Sequence, residues 1–169
     1  MLDLAARTET PKTAAEVVAL VADAGAAGRS LEVVGGGTKR GIGAVDGADA
    51  LLSLAALNKV IDYAPEELVL TAQAGVKLST LEKLVAAEGQ MLAFEPPHLT
   101  RLLGARGQPT VGGVLAANLS GPRRIRAGAA RDHFLGLEAV TGRGELVKAG
   151  GRVVKNVTGY DLSKLLAGS

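Results

Sequence analysis

Two rhythms of hydrophobic and polar positions run through this chain of 169 residues. From Thr13 to Gly28, Val17, Leu20, Val21 and Ala24 recur at helical spacing, Thr13 stands as an N-cap with Glu16 three residues on, and glycine closes the run. A helix is predicted there. The apolar run Leu31-Glu32-Val33-Val34 is short, β-branched and halted by Gly35-Gly36-Gly37, which predicts a buried strand delivering the chain into a tight loop. Further strands are expected at 50–54, 59–63 and 68–74, the last because Leu68, Leu70 and Ala72 alternate with Val69, Thr71 and Gln73. Leu78 to Glu88 returns to the helical period. The order helix, strand, loop, strands, helix suits an α+β arrangement better than a long βαβ series.

From Phe94 onward the pattern changes, with Pro96-Pro97 and then Pro109-Thr110-Val111-Gly112-Gly113 opening an apolar run, Val114 to Leu119, that reads as a short buried helix. Strands at Leu135 to Thr141 and Glu145 to Lys148 flank Gly142-Arg143-Gly144, a hairpin signal. Asp161 to Ala167 begins a further helix with nothing after it, which reads as a truncated chain. No repeat shows at periods of 20 to 50 residues.

Composition narrows the class. Hydrophobic residues make up 47% of the chain, yet there are two Phe, two Tyr and no Trp, so the core must be built from Ala, Val and Leu. The length suffices for one sizeable core or for two small lobes sharing one. Its 23 glycines far exceed the usual share of about 7% and gather in short clusters, the mark of demanding backbone geometry. A formal charge of +2 and a basic cluster no longer than Arg123, Arg124 and Arg126, without stacking aromatics, argue against nucleic acid. The absence of cysteine removes disulfides, thiolate metal sites and cysteine nucleophiles, and no metal site is expected. Met1 to Ala6 lacks a signal-peptide pattern and no apolar run approaches the roughly 20 residues of a membrane span, so a cytoplasmic location is expected.

The chemistry resides in the glycine clusters. Gly35-Gly36-Gly37-Thr38-Lys39 follows a strand, and consecutive glycines let backbone N–H groups turn toward one point, a nest suited to phosphate. Thr38 could add a hydroxyl, and Lys39 or Arg40 a positive charge. The same residues would also suit a tight surface turn. A Walker loop fails because Gly41 is followed by Ile42; a dinucleotide fingerprint fails because Arg40 stands where its third glycine belongs. Gly41-Ile42-Gly43 simply continues the loop. Thr110-Val111-Gly112-Gly113 precedes a helical run whose exposed N–H groups would make a second anion site. Two such sites fit a diphosphate. Asn118, Ser120 and Gly121 could pass close to a flat cofactor, or could be no more than a helix end with turn residues.

The stretch from Gly112 to Gly121, GGVLAANLSG, resembles the GG-x-x-A-x-N-x-x-G pattern of FAD-binding PCMH-type domains, the vanillyl-alcohol-oxidase superfamily. VVGGGTKRGIG resembles the first pyrophosphate loop of that family, RAGAARDHFLGLEAVTGRGEL its strand-and-hairpin region, and GGRVVKNVTGYDLSKLLAGS its closing motif. Nearly the whole chain is covered, in the family's order. Within the superfamily, KNVTGYDLSKLLAGS is most similar to the FAD-binding subunits of bacterial glycolate oxidases, and D-lactate dehydrogenases carry a similar motif.

The resemblance implies an α+β fold of two lobes, about 1–95 and about 96–169, with FAD between them and a separate substrate or cap domain missing after the second. It places Gly35, Gly36, Gly37, Thr38, Thr110, Gly112 and Gly113 on the pyrophosphate and Asn118, Ser120 and Gly121 along the cofactor. Arg131-Asp132 and Gly159-Tyr160-Asp161 match further family positions; Tyr160 and Asp161 suit packing and helix capping equally well. Relatives that attach flavin covalently do so through a histidine and a cysteine that are missing here, so noncovalent FAD is implied. The implied reaction is oxidation of a small 2-hydroxy acid, with a catalytic flavoprotein subunit and an iron–sulfur subunit as partners and any membrane association made through them. The alternatives are a structural subunit without its own FAD and a piece of a stand-alone D-2-hydroxy-acid dehydrogenase. No catalytic residue is assigned. His98 is expected to be a loop residue because no nearby carboxylate would orient it. His133 is expected to point away from Asp132, as neighbours on a strand do.

Overall fold

The computed structural model describes residues 7–42, 47–151 and 160–168. Gly43 of the glycine loop and positions 152–159 of the closing motif, Gly159 among them, lie outside the described residues, as do Met1 to Ala6. The chain opens with β1 (Arg7–Glu9) and then α1 (Ala14–Ala26), whose N-cap Thr13 accepts a hydrogen bond from the Glu16 N–H at 3.2 Å. The Glu16 carboxylate returns to the Lys12 N–H at 2.8 Å, satisfying a second donor ahead of the helix.

Strands β2 (Leu31–Val34) and β1 both run parallel to β3 (Ala50–Ser53), which lies between them with Ala50 and Leu52 buried. At the start of this sheet, the Asp49 carboxylate accepts from both the N–H and the hydroxyl of Ser30 at 2.7 Å. These bonds favour the charged form and hold its pKa below the ordinary carboxylate value. An antiparallel pair follows, β4 (Val60–Ala64) and β5 (Val69–Ala72), joined by a 3₁₀ turn at Pro65–Glu67. Leu68, expected to begin a strand, has φ 57° instead, because it closes that turn. Helix α2 (Leu78–Ala87) buries Leu78, Leu81 and Val85, the i, i+3, i+7 stripe of an amphipathic helix.

Helix α3 (Val111–Ala116) begins one turn earlier than expected, since Thr110 caps it and its own first turn contains Gly112 and Gly113. Next come a single turn, α4 (Arg124–Ala127), and a 3₁₀ segment at Ala130–His133. The predicted hairpin is β6 (Gly136–Val140) against β7 (Leu146–Gly150), antiparallel with Val140 opposite Leu146. Finally α5 (Leu162–Leu166) is capped by Asp161, whose carboxylate accepts from the Lys164 N–H at 3.2 Å. The core cluster of Leu78, Phe94, Val114 and Ala130 joins α2, α3 and the 3₁₀ segment, with Leu92, Leu115 and Leu119 packed around it. That joint positions the site.

Candidate functional site

Strand β2 delivers the chain into Gly35–Gly37, and this loop lies directly on the segment that precedes α3. A Cβ at Gly36 would overlap the carbonyl of Gln108, and one at Gly35 would strike the Thr110 hydroxyl. Only glycine permits this approach. Thr38 and Thr110 are each only 4% exposed. Among the described residues, the N–H groups of Gly36, Gly37, Thr38 and Lys39 have no intramolecular acceptor. Unpaired donors gathered in one turn make an anion nest.

The second glycine segment differs from expectation. Its N–H groups are engaged: Val111 donates to the Val76 carbonyl at 2.9 Å, Gly112 to that of Ala74 at 2.9 Å, and Val114 to that of Thr110 at 3.0 Å. Gly113 N–H donates to the Thr110 hydroxyl at 3.4 Å. Residues 74–76, a turn leading into the isolated bridge between Lys77 and Thr110, run alongside and supply acceptors that the linear pattern did not reveal. Gly112 fits because a Cβ there would come within 2.7 Å of the Ala74 Cβ. Thr110, Gly112 and Gly113 thus form a rigid floor beneath the nest.

The charge over that floor is Lys39. A Cβ at Gly113 would lie 3.7 Å from its Nζ, and no carboxylate pairs with it among the described residues. Burial lowers its pKa below the ordinary lysine value, the expected response of an ammonium removed from water without a counter-charge. Arg40 is committed elsewhere, with Nε and Nη2 each 2.7 Å from a Glu32 carboxylate oxygen. Of the two neighbours, Lys39 and not Arg40 is therefore available to an anion at these N–H groups.

Asn118, Ser120 and Gly121 sit just beyond α3, where their polar groups are used internally. Asn118 Oδ1 accepts the Arg131 N–H at 3.1 Å, Ser120 Oγ accepts the Ala130 N–H at 2.8 Å, and the Gly121 N–H donates to the Phe94 carbonyl at 2.9 Å. The first two bonds fasten the 3₁₀ segment to the residues after α3, and the third ties Gly121 to Phe94. His98 contradicts the expectation that it lacks a carboxylate: Glu82 Oε1 on α2 lies 2.9 Å from its Nε2. A separation of 16 positions, spanning the end of α2, concealed that pairing. His133 is on a 3₁₀ turn and not a strand, but it remains apart from Asp132 functionally. Its Nε2 meets the Ala127 carbonyl at 2.7 Å, and Asp132 accepts the Ala129 N–H at 2.7 Å. Among the described residues no cluster of His, Asp and Glu suits a metal ion.

A run of free N–H groups beside a glycine-lined segment and the unpaired Lys39 ammonium, held on an α+β framework, suits a diphosphate-bearing cofactor. The FAD binding domain family matches residues 5–150, and the chain belongs to that family, a family of FAD-dependent oxidoreductases whose cofactor is FAD.

The chain is 46% identical to glycolate oxidase subunit GlcE of Escherichia coli over 110 residues, 65% of this chain and 30% of that protein. It is 36% identical to D-2-hydroxyglutarate dehydrogenase of Xanthomonas citri over 160 residues, 94% of this chain and 32% of the relative. Solved alkyldihydroxyacetonephosphate synthase shares the fold at a TM-score of 0.70 and 24% identity, over 95% of this chain and 28% of that one. The chain spans about a third of the length of the curated relatives it matches.

FAD fits the residues present: a diphosphate would accept from the N–H groups of Gly36 to Lys39 and neutralise Lys39. When bound, FAD supplies a two-electron hydride acceptor. The chain's own contribution is to hold and orient it.

Lys39→Met separates binding from stability. With the charge gone, FAD retention should weaken on the order of 10-fold, whereas the FAD-free chain should become no less stable. The sign follows from linkage. Because the folded pKa of Lys39 is depressed, the unfolded chain binds more protons between the folded and unfolded values, so the penalty on folding is full at lower pH and fades as pH rises through them. The advantage of the Met variant should therefore shrink in alkaline solution, as urea titrations across pH would show.

Proposed function

We propose that this chain is the FAD-holding part of an oxidoreductase acting on a small 2-hydroxy acid, of the glycolate oxidase type. The carrying observation is the run of four unpaired N–H groups from Gly36 to Lys39 beside an uncompensated Lys39 ammonium. The similarity to glycolate oxidase and D-2-hydroxyglutarate dehydrogenase chains supports the substrate class. In this reading Gly35, Gly36, Gly37 and Thr38 surround the diphosphate, Thr110, Gly112 and Gly113 support it from below, and Asn118, Ser120 and Gly121 hold the turn beside the flavin. The lobes divide near residue 95. A catalytic flavoprotein subunit and an iron–sulfur subunit complete the assembly, and any membrane association is made through them; no helix among the described residues is long and apolar enough to cross a membrane.

FAD is noncovalent in this reading, since the chain has no cysteine and its glycine loop has no histidine. Gel filtration after mixing with FAD tests it. One flavin per folded chain, released on denaturation in acid, is the expected result. A folded chain that leaves the column colourless after micromolar FAD would refute the reading in favour of a structural subunit.

A further inference from the structure

Beyond Gly121 the chain makes a short excursion that the FAD site does not use. Arg123 caps the single turn α4, and Arg126 follows three residues later, the spacing that places two side chains on one helical face. Both line a groove of about 450 Å³ together with Pro122 and Ala127, and among the described residues no carboxylate lines it. Arg124, on a different face, does not line it.

The excursion is held in place. Glu95, in a left-handed backbone conformation with φ 46°, accepts the Arg123 N–H at 3.2 Å. A non-glycine residue persists there only where its surroundings hold it. At the far end, His133 meets the Ala127 carbonyl and Asp132 takes the Ala129 N–H. The Glu95 carboxylate also lies 3.9 Å from the Arg123 guanidinium, which touches Met91 Sδ at 3.4 Å, whereas no carboxylate pairs with Arg126 among the described residues. Arg123 is oriented and Arg126 is free.

We propose that this groove is a carboxylate subsite, in which Arg126, with Arg123 beside it, takes the carboxylate of the small 2-hydroxy acid. This rests on the proposed function for the identity of the acid. Planar guanidinium forks match planar carboxylates, and the open groove leaves Arg126 accessible to a small ligand. It begins immediately after Asn118 to Gly121, the segment placed beside the flavin. Glu95 is a positioning residue: its bond to the Arg123 N–H holds the start of the turn.

The test is a titration of the full chain with glycolate, followed by NMR of the arginine Nε–H resonances, with glycolamide and inorganic phosphate as comparison probes. Glycolate should shift the Arg126 and Arg123 signals, and glycolamide should not. Arg126→Gln should weaken glycolate binding on the order of 10-fold, while Arg124→Gln leaves it unchanged. Equal loss in both variants would reduce the effect to general surface charge and overturn the proposal, as would phosphate competing as well as glycolate or no glycolate shift at all. The flavin spectrum of the same sample keeps the two readings apart. Retained FAD with an indifferent Arg126→Gln sinks the subsite alone, and arginine shifts in a folded chain that refuses FAD sink the cofactor role alone.

Discussion

Gly36→Ala is expected to abolish retention of FAD while leaving most of the secondary structure intact. The added methyl cannot be accommodated by a rotamer change, since the atom it meets is the backbone carbonyl of Gln108, and Gly107 faces the same constraint from the Gly36 carbonyl. One of the two backbones must move. Overpacking of this kind costs about 1–3 kcal/mol or more, and the displaced loop is the one that bears the free N–H groups of Gly36 to Lys39. Urea denaturation should show the loss of stability, and gel filtration with FAD the loss of flavin from the protein peak. Circular dichroism should change little, because β2 and α3 lie outside the collision. A variant that keeps stoichiometric FAD would show that the loop does not hold the diphosphate.

Leu78→Ala should have the largest effect on stability. Leu78 is 1% exposed and packs in one cluster with Phe94, Val114 and Ala130, while its backbone N–H donates to the Pro109 carbonyl at 2.8 Å. Truncation removes buried apolar surface and leaves a cavity between α2 and α3, for which about 2–5 kcal/mol is usual. The same cavity loosens the floor, because Pro109 and Thr110 are fixed to α2 at this point. Affinity for FAD should therefore fall with stability, and saturating FAD should recover part of the lost melting temperature. Leu165→Ala is a useful contrast: the residue is 69% exposed, and the change should move the melting temperature little.

Much of this arrangement was legible in the amino-acid order. Strand β2 occupies the residues expected of it because an apolar run stopped by glycine leaves little choice, and α1 was marked by its cap. Strand β1 was invisible: Arg7-Thr8-Glu9 has no apolar alternation and is a strand only because it pairs with β3. Helix α3 was displaced because Gly112 and Gly113 are poor helix formers, and their place in it is decided by contact with Ala74. The turns at Arg124–Ala127 and Ala130–His133 have no periodic signature, so the binding role of Arg126 had no sequence signal beyond its charge.

For the site, both glycine clusters were recognisable, but not their division of labour. The choice of Lys39 over Arg40 depended on Glu32, eight residues back on β2. The engagement of the α3 donors depended on residues 74–76, and that of Asn118 and Ser120 on the backbone of Arg131 and Ala130. Each is a tertiary contact that no local pattern encodes.

The seating of Gly35–Gly37 on Gln108–Thr110 has a thermodynamic consequence. The nest and its floor come from distant stretches of chain and coexist only when the molecule is folded, so an unfolded chain offers FAD no comparable site. Ligand concentration therefore enters the folding equilibrium itself, and each tenfold rise in free FAD above its dissociation constant adds about 1.4 kcal/mol to the stability of the whole unit. In a cell, the abundance of the folded protein would then follow the supply of its vitamin-derived cofactor.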